Sequence, residues 1–442
     1  MPILAVRRWS ELDAAERDRI LARSTARVFD PLLVASIERI FADVRARGDL
    51  AVSEATGRFD GALIPPERLR VPAEEIEAAH ETLDPALLDG IREAIANSRR
   101  FNLAQVAATC HDWRQEVRPG FVLGEKFSAI PSAGLFVPCG KASYPSVLCQ
   151  VGTPAVVAGV PEIAVLVPPV PGSASVDPAT LAAAWELGLR TVFRANGPAG
   201  IAALTFGTES FPRVAKVVGP GSPAVTAAQV IAQRHGTGTT MLCGPSESLI
   251  LADDAADPWR LALDLLNEAE HGADSAATLA TDSEPLVAAV EAAIARQIEL
   301  LPPTRAEAAA AALSDLGGAM LFDSMAEAVA FASAYAAEHT QIATSDPEAT
   351  LADLRYAGEA LLGQDTPIGA SSYTIGIPAT LPTGGFAMVN GGVTARTFLT
   401  STSIARLSPE ALAELAGPTL ALADHEGFPA HANAFRLRGL GK

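Results

Sequence analysis

The sequence predicts an α/β fold built from two Rossmann-like doubly wound lobes, with helical N-terminal and C-terminal segments. Three observations predict it. From Ala133 onward, short apolar strands alternate with Ala-rich helices through Gly/Pro loops, as in AGLFVP before VLCQVGTPAVVAGV and EIAVLVPP before PATLAAAWELGL. Such alternation implies crossover helices and hence parallel strands. The pattern then repeats, because ADSAATLAT, AMLFDS and EALLGQDT each pair with another Ala-rich helix. That second set predicts a second sheet of the same kind. Finally, 442 residues exceed one ordinary core, since domains run to roughly 100–200 residues.

Taken in order, residues 9–102 read as largely helical. DPLLVASIERIFADVRARGD spaces its apolar residues by three and four and stops at Gly48, and DPALLDGIREAIANSRRFN repeats the device. In the α/β part, TVFRANGPAG leads to IAALTFG, VAKVVGPGSP opens AVTAAQVIAQRHG, and SLILADD opens PWRLALDLLNEAEHG. After about Thr394, SPEALAELAGPTLALADHEGF predicts helix again and no further strand. The expected boundaries are residues 1–135 with 245–393 for a first lobe, which carries the helical entry segment and most candidate catalytic residues. Residues 136–244 form a second, nucleotide-binding candidate lobe, and residues 394–442 a helical tail.

Composition narrows the function. The chain has 51 acidic and 33 basic side chains, a net charge of -18, and no Lys/Arg cluster, which argues against nucleic acid and anionic membranes as partners. Its apolar residues lie in periodic segments, with no unbroken run of membrane-spanning length. The opening MPILAVRRWSELD places its charge after a five-residue apolar run, unlike a secretory signal, so a cytoplasmic location is expected. Cys110, Cys139, Cys149 and Cys243 lack CxxC spacing and read as reduced thiols.

Four stretches could carry chemistry. In NEAEHGADS, Glu268 and His271 stand three apart on a helical pattern, so they could share a cation. A helix end with its His near the negative dipole terminus explains them equally well. In YAAEHTQI, His339 could accept a proton and Glu338 could activate water, or the pair could be the solvated end of a helix. VVGPGSPAV, with Gly219 and Gly221, is a strand, a tight loop and a helix start that could present N–H groups to a pyrophosphate. FVPCGKASYPS is a similar loop whose Lys141 could meet a phosphate or carboxylate, and either loop could be a plain turn. DHEGFPAHANAFRLR clusters His425, Glu426 and His431, which suits either surface or site. His80, His111 and His235 have no partner at useful spacing and read as structural or exposed.

LFVPCG, GIAALTFGTES, VAKVVGPGS, GPSESLILAD, NEAEHGADS, YAAEHT, LPTGGFA and HANAFRLR, in this order, resemble the histidinol dehydrogenase family over nearly the whole chain. The resemblance implies oxidation of an alcohol through an aldehyde to a carboxylate, with reduction of two NAD molecules in succession and a zinc ion at the substrate. It also implies a domain-swapped homodimer, with the tail laid on the partner subunit. Carried across, His271 and His431 match zinc ligands, His339 the general base and Glu338 the carboxylate that activates water. Ser246 and Glu426 match substrate contacts. The chain departs from the family at six further positions. Glu268 stands where the family usually has a Gln ligand, and Ser372 where it has an Asp ligand. Glu268, His271 and His431 would therefore form the metal set, with the carboxylate moved. Ala379 replaces a His that meets the substrate imidazole. Phe136, Ala199 and Ser222 replace Tyr, Gln and Asn contacts to NAD. The expectation is an NAD-dependent dehydrogenase for a small polar primary alcohol other than histidinol. Some relatives oxidise a sulfonated propanediol, so an anionic polyol met by Lys141 or an arginine is one candidate. The alternatives are an authentic L-histidinol dehydrogenase and a non-catalytic small-molecule-binding relative.

Overall fold

The runs ESLILA and AATLAT are buried at every position, which a strand tolerates only when layers cover both of its faces. A computed structural model of the protein, describing residues 3–23, 30–139, 142–241 and 244–440, supplies those layers. In chain order the strands are β1 (Val6–Arg8), β2 (Trp113–Arg118), β3 (Phe121–Ala129), β4 (Ser132–Phe136), β5 (Glu162–Val167), β6 (Val192–Arg194) and β7 (Lys216–Val218). They continue as β8 (Glu247–Ala252), β9 (Ala276–Thr281), β10 (Gly318–Leu321), β11 (His339–Ala343), β12 (Glu359–Leu362) and β13 (Leu399–Leu407). The chain divides into one unit of Met1–Leu103 with Ile130–Phe398, and another of Ala104–Ala129 with Leu399–Lys442.

The larger unit contains two all-parallel sheets, of order β1-β10-β9-β8-β11-β12 and β6-β5-β4-β7. Alternation along the strands sends successive side chains to opposite faces. In the four-stranded sheet, Leu135, Val165 and Val218 enter one core while Phe136, Leu166 and Val217 enter another. The six-stranded sheet divides Ile250 and Leu279 from Leu251 and Met320 in the same way. Each fully buried Leu or Ile contributes roughly 1.5–3 kcal/mol, so the two-sided cores account for the all-apolar strand runs. The helices Pro31–Arg47 and Asp49–Asp60 cover one face of the four-stranded sheet, packing on Gly197–Phe206 and Pro223–Gln233. Asp30 begins the first of them by accepting from the N–H groups of Leu32 and Leu33 at 2.9 Å.

The doubly wound α/β class holds, but three details differ from the sequence reading. Val6–Arg8 joins the six-stranded sheet as β1, a strand too short to announce itself by alternation. Glu338 and His339 do not end a helix. The helix Met325–Tyr335 stops at Ala336, whose φ of 47° is left-handed, and His339 opens β11. The tail is not wholly helical, because LTSTSIARL forms the nine-residue β13. Its alternating hydroxyl and β-branched residues suit an extended strand rather than a helix. In the smaller unit β13 pairs antiparallel with β3, which pairs with β2, and helices Pro409–His425 and Pro429–Arg436 pack on each other.

Gly219 marks where backbone approaches backbone. At its φ of +144° a Cβ would fall 2.0 Å from the carbonyl oxygen of Phe136. Gly219→Ala is expected to destabilise the protein by at least ~2 kcal/mol through strain and overlap. Calorimetric melting checks this, and an unchanged melting temperature would show that the loop relaxes freely.

Candidate active site

Two parallel strands bring the reactive groups together. In β11 and β12, His339 is in register with Glu359, and on the other side it faces Ser248 of β8. Residues in register on adjacent strands point to the same face, so the sheet itself sets the imidazole beside a carboxylate. His339 Nδ1 hydrogen-bonds Glu359 Oε1, and the Ser371 hydroxyl donates to Glu359 Oε2 at 2.5 Å. A carboxylate at Nδ1 fixes the ring with Nε2 as its free nitrogen. Nε2 lies 3.9 Å from Glu338 Oε1.

Behind Glu338 stands a second buried pair. The Glu247 N–H donates to Glu338 Oε2 at 3.2 Å, and the Glu247 carboxylate meets Arg23 at 2.5 Å and accepts from the Gly384 N–H at 3.0 Å. The Arg23 guanidinium also lies 3.8 Å from the centre of the Tyr335 ring. Asp264 joins three elements of the site. It lies on the helix Pro258–Ala269, accepts from Gln341 of β11 at 2.9 Å, and accepts from the Ile368 N–H at 3.3 Å where the helix Ile368–Tyr373 begins.

The reactive side chains are buried and over-supplied with negative charge. Burial pushes the Glu338 carboxyl well above the usual range, and although the His339 charge opposes this, Glu268 and Glu247 add to it. Burial also raises Glu247 against the pull of Arg23. At His339 burial disfavours the cation, yet the Glu359 bond and the charges of Glu338, Glu359 and Glu268 prevail and push the ring up to about 10. A cationic ligand would relieve this excess.

A cavity of about 610 Å³ opens onto these groups. One wall comes from the N-terminal edge of the six-stranded sheet, with Ser246, Glu338 and His339; the other comes from loops after the strands of the four-stranded sheet, with Phe136, Asn196 and Gly221. Ser222, His271, Ser372 and Ala379 also line it. Two of the candidate cofactor residues do not: Ala199 is fully buried in the first turn of the helix Gly197–Phe206, and Gly219 is packed on Phe136. The backbone N–H of Ala379 donates to Gln150 at 3.4 Å. His431 and Glu426 are exposed residues of the smaller unit. Lys141 and Cys243 lie outside the described residues.

Metal donors are present only in part. Glu268 is 1% exposed and its Oε1 has no hydrogen-bond partner among the described residues, an orphaned buried oxygen that suits a cation. His271 sits just past the end of its helix, with its N–H on the Glu268 carbonyl at 3.2 Å and its ring on the cavity wall. The Ser372 hydroxyl donates instead to the Ile368 carbonyl at 3.2 Å. Among the described residues, no three His, Cys, Asp or Glu side chains converge as a metal site. Glu268 thus offers an oxygen that a divalent cation could use, while His271 Nδ1 lies 3.2 Å from the Asn267 carbonyl. Sequence reasoning missed Glu359, Ser371, Glu247 and Arg23, and the one available signal was an acidic residue opening an apolar strand, as in GEALLG and SESLILA.

Two parallel sheets, a cavity between opposite strand edges and a carboxylate-held imidazole define an α/β protein with a titratable group on a cavity at the edge where open parallel sheets commonly take ligands. The model of the histidinol dehydrogenase family matches residues 25–439. A histidinol dehydrogenase from Agrobacterium fabrum is 39% identical over 433 residues, 97% of this chain and 98% of that one. A histidinol dehydrogenase homolog from Colwellia psychrerythraea is 38% identical over 431 residues, covering 97% and 95%. The crystal structure of histidinol dehydrogenase from Elizabethkingia anophelis superposes with a TM-score of 0.92 at 30% identity, covering 99% and 98%. The chain belongs to the histidinol dehydrogenase family, NAD-dependent oxidoreductases for which zinc is characteristic. No helix among the described residues is long and apolar enough to cross a membrane.

Proposed function

We propose that the protein oxidises a small polar primary alcohol with NAD, His339 taking the hydroxyl proton as hydride leaves for the nicotinamide. The observation that carries this is the His339–Glu359–Ser371 chain on a cavity shared with the Gly221–Ser222 loop. Glu338, next to His339, would position water on the aldehyde, so that a second hydride transfer gives a carboxylate. Glu268, His271 and His431 would hold zinc, which when bound polarises the substrate oxygen. The exposed strand β2 and the exposed Trp113, Val117, Leu422 and Phe428 of the smaller unit support a homodimer in which that unit meets a second copy.

The relatives' names put L-histidinol first as the alcohol. A second reading, an alcohol without an imidazole such as an anionic polyol, is favoured by Ala379 and by the hydroxyl of Ser372 in place of a carboxylate. The experiment is a screen of the purified protein with NAD, L-histidinol and non-imidazole primary alcohols, following reduced nicotinamide. Fast turnover of L-histidinol selects the first reading, and preference for another alcohol selects the second. Silence with every alcohol, with nucleotide still bound, would leave a binding protein and overturn the dehydrogenase.

A further inference from the structure

We propose that Asp60 selects NAD over NADP, accepting hydrogen bonds from the hydroxyls of the adenosine ribose and repelling a phosphate placed there. This rests on the reading of the cavity as the NAD site. Asp60 is the last residue of the helix Asp49–Asp60, where Gly61, at a φ of 69°, turns the chain away. It lines the cavity beside the loops that follow the strands of the four-stranded sheet, the edge at which open parallel sheets bind dinucleotides.

Its carboxylate is held in place. Asn196 donates from Nδ2 to Asp60 Oδ2 at 2.9 Å, and its Oδ1 caps the helix Gly197–Phe206 by accepting from the Ala199 N–H at 3.4 Å. The Asn196 backbone N–H is bound by Thr56, on the same helix as Asp60, at 2.9 Å. One carboxylate oxygen is therefore anchored, and Oδ1 has no hydrogen-bond partner among the described residues. A carboxylate fixed at a cavity wall with one free oxygen is an acceptor for a diol.

Two further observations give the selectivity its direction. The helix Pro223–Gln233 starts on the same cavity with no side chain capping its first turn, so its N–H groups are available to the pyrophosphate that NAD and NADP share. Among the described residues that line the cavity there is no lysine or arginine, while Asp60, Asp274 and Glu338 are acidic. The extra phosphate of NADP, with a charge of about -1.5 to -2, would meet Asp60 and, among the described residues of the cavity, no countercharge. Sites that accept NADP commonly supply an arginine at that point.

The test is calorimetric titration of the full chain with NAD, NADP and NAD lacking the 2′-hydroxyl of its adenosine ribose, without alcohol. Wild type is expected to prefer NAD over NADP by ~100-fold and to lose ~10-fold on removal of the hydroxyl. Asp60→Asn keeps the size and an acceptor for Asn196. It is expected to narrow the NAD/NADP preference at least ~10-fold, and Asp60→Ala to become indifferent to the missing hydroxyl. Variants with unchanged preferences, and circular dichroism and melting like wild type, would overturn the assignment while leaving the NAD site standing. Failure of wild type to bind either nucleotide would overturn both.

Discussion

His339→Asn is expected to cut nicotinamide reduction by roughly 10²–10⁴-fold, the usual contribution of a positioned general base, with nucleotide affinity unchanged. Asparagine cannot take a proton at neutral pH, but it can donate to Glu359, which would otherwise be left buried with only Ser371 as partner. An alanine there would confuse lost chemistry with a buried, unsatisfied carboxylate costing ~1–3 kcal/mol. The pH dependence has a definite sign. The base must be neutral to act, and in the unliganded site Glu359, Glu338 and Glu268 push His339 up to about 10, so turnover rises with pH toward that value. Stability runs the other way. The folded pKa lies above the unfolded value of about 6.5, so the imidazolium's contribution is complete below about 6.5 and is lost as pH climbs to about 10. Steady-state rates and denaturant midpoints across pH 6 to 10 check both limbs. Unchanged turnover in the asparagine variant would refute the base assignment.

The sheets were legible because their strands are short apolar runs set off by Gly and Pro, which is how strands buried on both faces must read. β11 was not, because its first residue is charged and polar where an apolar run was sought. His339 and Glu359 are 20 positions apart, and only the pairing of β11 with β12 makes them neighbours. The same holds for Arg23 and Glu247, 224 positions apart. Helical spacing could set Glu268 near His271 because that link is local, the His271 N–H donating to the Glu268 carbonyl at 3.2 Å. Such spacing cannot show that Glu268 is buried and short of a partner, because that depends on the strands and loops packed around its helix. β13 and its partners were missed because a mostly exposed antiparallel sheet leaves no long apolar signature.

Glu268→Gln is expected to have opposite effects on the metal-free and metal-bound protein. Without metal, a carboxylate whose Oε1 has no partner is replaced by a neutral amide, and among the carboxylates that surround His339 that change should stabilise by ~1–3 kcal/mol. With metal, the variant loses the charged donor of the set, and zinc affinity should fall ~10–100-fold or more. Melting curves with and without added zinc separate the two, because the rise that zinc produces in wild type should shrink in the variant even as its metal-free baseline climbs. Ser372→Asp adds a carboxylate on the same cavity, near a cluster already over-supplied with negative charge, and alone it should destabilise the metal-free protein. Combined, the two changes restore the Gln and Asp pair usual in the family and leave the net charge of the site as it is now. The double variant should therefore recover zinc affinity that the Glu268→Gln single change loses, a coupling that neither substitution shows alone. Additive effects, or wild-type protein with no zinc above background and turnover indifferent to a chelator, would remove Glu268 from the metal set and leave it a buried carboxylate that raises the pKa of His339.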